Sequence, residues 1–452
     1  MTSVHITNAY HPASGGIRTF YHALLDGAQR ARRRVVLIVP GAETEVVDRG
    51  PYARIHVIAA PRAPLFDRRY RMLLPHRYLP GTGSAIVDVL QREQPDVVEV
   101  CDKYTLPYLA AMLRRRWHRR VRRPTLVALS CERFDDNMAA YVSRSMAGRA
   151  FTRWYLRHIY GPPFDAHIAI SEYTERELRE ALHDRPDGFI RRCPMGVHSD
   201  DFGARHGNAD IRASLLGRCG GTADSVLLLY AGRVSPEKNV GLLVETLRAL
   251  CGDGGRDFRM VVVGDGPLTP WLREQARGPL DGRLWACGAL DRGTLAAYLA
   301  SCDVFVHPNP REPFGIGPLE AMASGVPVVL PASGGVLEYA TTSNAWLAEP
   351  TGAAFAAAVR EAADGNAIRV AAARATALDF AWERVIPRYF ALQDELHRLG
   401  TEARPSEHRW SRTGRLHSPR ASRQRTKSYT RLTPALRVLD ARLIPSHSDH
   451  KP

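Results

Sequence analysis

Residues 303–330 constrain the fold of this chain more tightly than any other stretch, because they prescribe a succession of elements. Asp303-Val-Phe-Val-His307 is an apolar run of strand length. Pro308 to Gly325 follows and reads PNPREPFGIGPLEAMASG. Gly317 can stand at a helix N-cap and Pro318 at the first helical position, where proline's missing N–H costs nothing, so a helix is expected from Pro318. Gly325 lies past its last turn and Pro327 bars continuation, leaving Val326 to Leu330 as a second strand.

A loop in this position leaves the backbone N–H groups of Phe314 to Leu319 free at the positive end of a helix dipole, which makes an anion site. Two carboxylates flank it, Glu312 before the glycines and Glu320 in the expected first turn, with seven residues between them. Carboxylates accept hydrogen bonds from hydroxyls and repel phosphate, so one on each side suits a phosphate carried between two polyols, as in a nucleotide-diphosphate sugar. The alternative is that Glu320 caps its helix and Glu312 is a surface loop residue.

Glu312-Pro-Phe-Gly-Ile-Gly-Pro-Leu-Glu320, with Ala-Met-Ala-Ser-Gly-Val-Pro-Val-Val after it, resembles the signature of family-4 retaining glycosyltransferases of the GT-B fold. The resemblance implies a catalytic Glu312 against the transferred sugar and Glu320 on the ribose. It also implies that the loop amides among Phe314, Gly315, Ile316, Gly317 and Leu319 hold sugar and diphosphate.

From the start of the chain, Val4 to Asn8 reads as a strand, His11 to Arg18 as a loop, Thr19 to Arg32 as a helix and Val35 to Pro40 as the next strand. A glycine pair at the first turn of such a βαβ unit is how doubly wound domains hold phosphate, and the resemblance sets Gly15 and Gly16 against the donor diphosphate. Further strands are expected at 55–59, 96–101, 125–130 and 167–171, and a second series at 225–230, 260–264, 284–288, 303–307 and 326–330. Two alternating series imply an α/β protein of the GT-B type, with two doubly wound, Rossmann-like domains facing a cleft. Residues 1–198 would form the acceptor-side domain and 209–380 the nucleotide-sugar-binding domain. The amphipathic stretch within 381–400 would be a helix crossing back to the first domain. Residues 401–452 hold twelve Lys/Arg against four Asp/Glu with little apolar periodicity, and are expected to be disordered.

Three positions depart from the family pattern. Arg192-Cys-Pro-Met-Gly-Val-His198 resembles its interdomain segment, with Met195 and His198 in place of Asn and Asp. Cys131 stands where related mannosyltransferases often carry a sugar-contacting His, which leaves open the register or the way the sugar is held.

Ala231-Gly-Arg233-Val-Ser-Pro-Glu-Lys238 follows a strand and precedes a helix. Arg233 offers a planar fork and Lys238 a point charge, complementary means of neutralising phosphate oxygens at the strand end where doubly wound folds bind ligands. The chain has four lysines, Lys103, Lys238, Lys427 and Lys451, so Lys238 breaks a strong preference for arginine. The segment matches the family's diphosphate motif. Gly264 and Gly266 form another strand-end turn, which the resemblance puts beside the nucleobase and which is equally readable as structural. No D-x-D occurs. Neither a metal nor another cofactor is therefore expected, and Arg233, Lys238 and the helix N-terminus would supply the charge for the leaving diphosphate.

Seven isolated cysteines fit a reducing cytosol, and no apolar run reaches the ~18 residues of a spanning helix. The net charge of +15 raises the question of an anionic partner. Arg114, Arg115, Arg116, Arg119, Arg120, Arg122 and Arg123 flank Leu113, Trp117 and Val121, which a helix would align as an apolar stripe suited to the inner face of the cytoplasmic membrane. Specific nucleic-acid binding is not expected, since the basic residues lie mainly in a tail and one helix without the interleaved aromatics typical of nucleic-acid stacking. The sequence thus reads as a hexosyltransferase, with mannose and a GDP or UDP donor as candidates and a lipid-linked or envelope glycan as acceptor. The alternatives are a GT-B nucleotide-sugar epimerase and a non-enzymatic binder of anionic surfaces or nucleic acid.

Overall fold

The structure is a computed structural model that describes residues 1–11, 15–63, 70–141, 145–252 and 255–402. The expectation of disorder for 401–452 falls, from residue 403 onward, outside the described residues.

The first sheet is built from β1 (Thr2–Thr7), β2 (Arg34–Gly41), β3 (Glu45–Asp48), β4 (Ala53–Ala59), β5 (Val97–Cys101), β6 (Thr125–Ser130), β7 (Ala166–Ala169) and β8 (Ile190–Arg192). Its order is β3-β4-β2-β1-β5-β6-β7-β8. Every pair is parallel except β3 with β4. The second sheet comprises β9 (Val226–Ala231), β10 (Phe258–Val263), β11 (Leu284–Gly288), β12 (Val304–Val306), β13 (Val328–Pro331) and β14 (Trp346–Ala348). It is all parallel, in the order β11-β10-β9-β12-β13-β14. Central strands such as β5, VVEVC, are buried at every position because helices cover both faces. This is the GT-B architecture of two Rossmann-like domains.

In each sheet the chain direction of winding reverses once, between β1 and β5 and between β9 and β12. Loops diverge at such a point and leave a crevice at the strands' carboxyl ends. The loops after β9 and β12 carry Lys238 and Glu312, so topology alone brings these two residues to one place.

The helix Trp382–Glu402 returns to the first domain. Its start is tied to the segment that follows the first sheet, where Val197 N–H donates to Phe380 O at 2.9 Å and Trp382 N–H to Val197 O at 3.0 Å. Further along, Phe20 packs edge-on against Tyr389, with ring centroids 5.2 Å apart. Buried Glu99 accepts from Tyr389 Oη, from Gln393 Nε2 at 3.1 Å and lies 2.9 Å from His5 Nδ1.

Several expectations need correction. The first helix begins at Gly15 rather than Thr19, so the glycine pair forms its first turn and is not a loop before it. β3, β8 and β14 were not expected: β3 is an exposed edge strand and the other two have three residues each, too short to reveal a period. The arginine-rich stretch is not a helix. The helix Pro107–Arg114 stops there, Arg116 has φ +57°, and turns follow, so the Leu113, Trp117 and Val121 stripe does not exist. Leu113 and Val121 are core residues. Arg114 donates to Asp165 at 2.7 Å, Arg122 pairs with Asp96, and Arg123 lies 3.7 Å from Asp165.

Candidate active site

β12 delivers the chain into His307-Pro-Asn-Pro-Arg-Glu312-Pro-Phe-Gly315, and the helix Ile316–Ala323 leaves it. The helix starts two residues before the expected Pro318, with Gly315 as N-cap at φ +91°. Proline is tolerated there because no N–H of the first turn has an intrahelical acceptor anyway. The free amides are therefore those of Gly315, Ile316 and Gly317, while Leu319 N–H lies inside the helix. Phe314 and Leu319 point into the core, Phe314 against Tyr339 with centroids 5.3 Å apart, so their side chains serve packing.

Gly315 is required twice over. Its φ is in the left-handed region, and a Cβ would stand 3.0 Å from Tyr339 Oη, which donates to Gly315 O at 2.6 Å. The sequence reading missed a second clamp on this loop, Gly334 and Gly335. Gly335 N–H donates to Glu312 O at 2.6 Å, and a Cβ on Gly335 would meet Pro313 O at 2.0 Å. The first domain also reaches the loop, through Ser171 Oγ donating to Pro313 O at 2.6 Å.

Glu312 is buried at the centre. Lys238 Nζ lies 2.9 and 2.8 Å from its two oxygens, Asn309 Nδ2 donates to Oε2 at 3.0 Å, and His307 Nε2 is 3.3 Å from Oε2. Burial pushes this carboxyl up, but Lys238 and His307 outweigh it and hold Glu312 well below the usual carboxylate range. Asn309 and His307 were not anticipated; the signal for them is their place three and five residues before Glu312, at a strand's carboxyl end where doubly wound folds bind ligands.

Lys238 ends the short turn Pro236–Lys238 after β9. The next residue, Asn239, ties this loop to that of Glu312 by donating to Pro308 O at 3.0 Å. Arg233, on the same loop, is 3.4 Å from Glu237 and faces solvent with about a third of its side chain. Gly264 and Gly266 lie beneath the loop. A Cβ on Gly264 would be 1.9 Å from Gly232 O and one on Gly266 2.2 Å from Val234 O, so both glycines are there for close backbone packing.

Across the cleft, a Cβ on Gly16 would stand 3.4 Å from Ile316 Cδ1, whereas one on Gly15 would meet nothing within 4 Å. The N-termini of the helices Gly15–Ala31 and Ile316–Ala323 therefore converge from the two domains, and both present positive dipole ends.

Glu320 is the fifth residue of its helix, not in the first turn. Its carboxyl accepts no hydrogen bond from the described residues, and burial pushes it up to about 7 despite Arg292. Cys131 follows β6 and packs in the core with its Sγ 3.5 Å from Cys101 Sγ, where burial raises the thiol. The adjoining Glu132, whose carboxyl burial also raises, is within electrostatic reach of Lys103 and Arg233.

Comparison with known proteins agrees with this geometry. The glycosyl transferase 4-like domain matches residues 15–194, and the family of glycosyl transferases group 1 matches residues 225–364. A GDP-mannose-dependent alpha-(1-6)-phosphatidylinositol dimannoside mannosyltransferase of Mycobacterium tuberculosis is 31% identical over 394 residues, covering 85% of this chain and 93% of its own. The chain belongs to the group 1 glycosyl transferases. A second member, a GDP-mannose-dependent alpha-mannosyltransferase of Corynebacterium glutamicum, is 26% identical over 74% of this chain and 73% of its own. Among solved structures, sucrose-phosphate synthase from Thermosynechococcus elongatus superposes with a TM-score of 0.66 at 19% identity, covering 88% of this chain and 100% of that one. A glycosyltransferase from Rickettsia africae does so with a TM-score of 0.65 at 16% identity, covering 87% and 98%. This group 1 glycosyl transferase is thus an enzyme that moves a sugar from a nucleotide sugar to an acceptor.

Proposed function

We propose that the enzyme transfers mannose from GDP-mannose to a hydroxyl of a lipid-linked acceptor. The observation that carries the reading is the meeting of two helix N-termini with Lys238 and Glu312 at the winding reversal of the second sheet, together with relatives whose names specify GDP-mannose. In this reading the amides of Gly315, Ile316 and Gly317 and the helix end at Gly15 and Gly16 hold the diphosphate. Arg233 and Lys238 neutralise the charge that develops on it as the glycosidic bond breaks. Glu312, kept ionised, accepts from hydroxyls of the transferred sugar. Glu320 takes the ribose, and the turn at Gly264 and Gly266 borders the base.

No metal is assigned a role, so turnover should persist in excess chelator. A cytoplasmic location accords with seven free cysteines. No helix among the described residues is long and apolar enough to cross a membrane.

The test is a thermal-shift screen with GDP- and UDP-sugars, followed by product analysis with and without a lipid extract. Mannose transfer from GDP-mannose to lipid supports the proposal. Conversion of the donor sugar to an epimer with no acceptor would instead establish the epimerase reading.

A further inference from the structure

The helix Met146–Tyr155 exposes the residues a soluble helix buries. Met146, Phe151 and Trp154 are 86%, 47% and 51% exposed, while Thr152 and Leu156 are the positions that face the core. Phe151 and Trp154 stack in solvent, with centroids 6.0 Å apart and planes 28° apart, and Trp154 extends the row to His158 at 5.7 Å. Tyr108, 39% exposed, is within electrostatic reach of Tyr155 at the end of the row.

Charge accompanies this face. Residues 137–164 contain four arginines, no lysine and no carboxylate. Arg149 and Arg153 are exposed, four residues apart and so on one side of the helix, with Arg153 next to Trp154, and neither has an ion-pair partner among the described residues. Arg157, one turn on, lies 3.1 Å from Asp184.

We propose that this helix is a membrane-docking element that lies on an anionic bilayer. Tryptophan and phenylalanine stacked on the exposed side of a helix suit the headgroup and acyl boundary, where an amphipathic ring keeps its polar edge wet. Arginines beside them meet lipid phosphates. The carboxylate-free run removes the repulsion that an anionic surface would impose, and it distinguishes this face from the Arg114–Arg123 segment, where Arg114, Arg122 and Arg123 already pair with aspartates. The preceding helix, Phe134–Tyr141, packs both on this element and on the Pro236–Lys238 turn. Docking would therefore set the mouth of the active-site cleft at the bilayer. The proposal concerns attachment, not the acceptor, and stands apart from the donor assignment.

The test is co-sedimentation of the full-length chain, without donor, on phosphatidylcholine vesicles and on phosphatidylcholine vesicles containing phosphatidylglycerol. Wild type should prefer the anionic vesicles and lose binding in high salt. Phe151→Ser with Trp154→Ser, and separately Arg149→Gln with Arg153→Gln, should each lower the partition coefficient about tenfold or more. Melting temperature and nucleotide affinity should not change. Arg115, Arg116, Arg119 and Arg120 changed to Gln should leave partitioning as it is. Equal partitioning of wild type and both double variants, or no preference of wild type for the anionic vesicles, would overturn the proposal. So would a wild-type dimer that Phe151→Ser with Trp154→Ser converts to monomer without changing vesicle binding, since the face would then pair two copies of the chain.

Discussion

Lys238→Met keeps the aliphatic stem and removes the ammonium that sits 2.9 and 2.8 Å from the two oxygens of Glu312. Truncating one partner of a buried pair costs about 3–5 kcal/mol, because the other charge is left behind. Here Asn309 and His307 still face Oε2. The loss of folding stability near neutral pH should therefore be about 2–4 kcal/mol. Its pH dependence identifies the cause. In the wild type the depressed Glu312 carboxyl contributes stability that is complete above its unfolded value near 4.5 and is lost as pH falls through the lower folded value. In the variant burial dominates, the carboxyl rises, and the penalty should shrink as pH approaches about 4.5 and Glu312 protonates. Urea unfolding at about pH 7 and about pH 4.5 reads this directly. Calorimetry should show nucleoside-diphosphate affinity weaker by roughly tenfold to 150-fold, equivalent to about 1.5–3 kcal/mol for a hydrogen bond to a charged group. Adding Glu312→Gln should restore much of the stability but none of that affinity. A penalty equal at both pH values, or a double variant no more stable than Lys238→Met, would refute the account of this pair.

Glu320, pushed up to about 7, binds its proton more tightly folded than unfolded, so its contribution is complete below about 4.5 and lost as pH rises through about 7. Glu320→Gln should remove a fall of about 1–3 kcal/mol over that window, read from urea midpoints against pH. Gly264→Ala would place a Cβ 1.9 Å from Gly232 O at φ +132° and should cost about 3 kcal/mol or more, seen as a large drop in melting temperature. Gly15→Ala meets nothing within 4 Å, so it should leave stability within about 0.5 kcal/mol while weakening nucleotide binding in calorimetry. Unchanged affinity would remove Gly15 from the diphosphate site.

The strand, loop, helix and strand around Glu312 were legible because glycine and proline punctuate them and because the central strands are unbroken apolar runs. The helix start was misjudged because Pro318 is equally acceptable at the first or third helical position, and only the left-handed φ of Gly315 decides between them. The Arg114–Arg123 segment misled for a related reason. Its apolar spacing is helical, but a non-glycine residue, Arg116, adopts φ +57° and ends the helix without a glycine or proline to announce it. Glu312 and Lys238 were each named, yet their direct contact was not. They are 74 residues apart, and the contact follows from β9 lying beside β12. The exposed Phe151 and Trp154 were invisible for the opposite reason, since helical periodicity locates an apolar face without saying whether the fold covers it.

Glu312→Gln tests the central claim most directly, by comparing single-turnover sugar transfer with equilibrium binding of the nucleoside diphosphate. If Glu312 contacts the transferred sugar, the nearly isosteric amide should leave the loop intact and nucleotide affinity within about threefold of wild type, because the amides of Gly315, Ile316 and Gly317 remain. Transfer should fall by roughly a hundredfold or more, the scale on which a single charge-stabilising contact at the reacting centre acts. Wild-type turnover by Glu312→Gln would contradict the account, and so would transfer and nucleotide affinity falling by the same factor, since the carboxylate would then serve only to hold the loop.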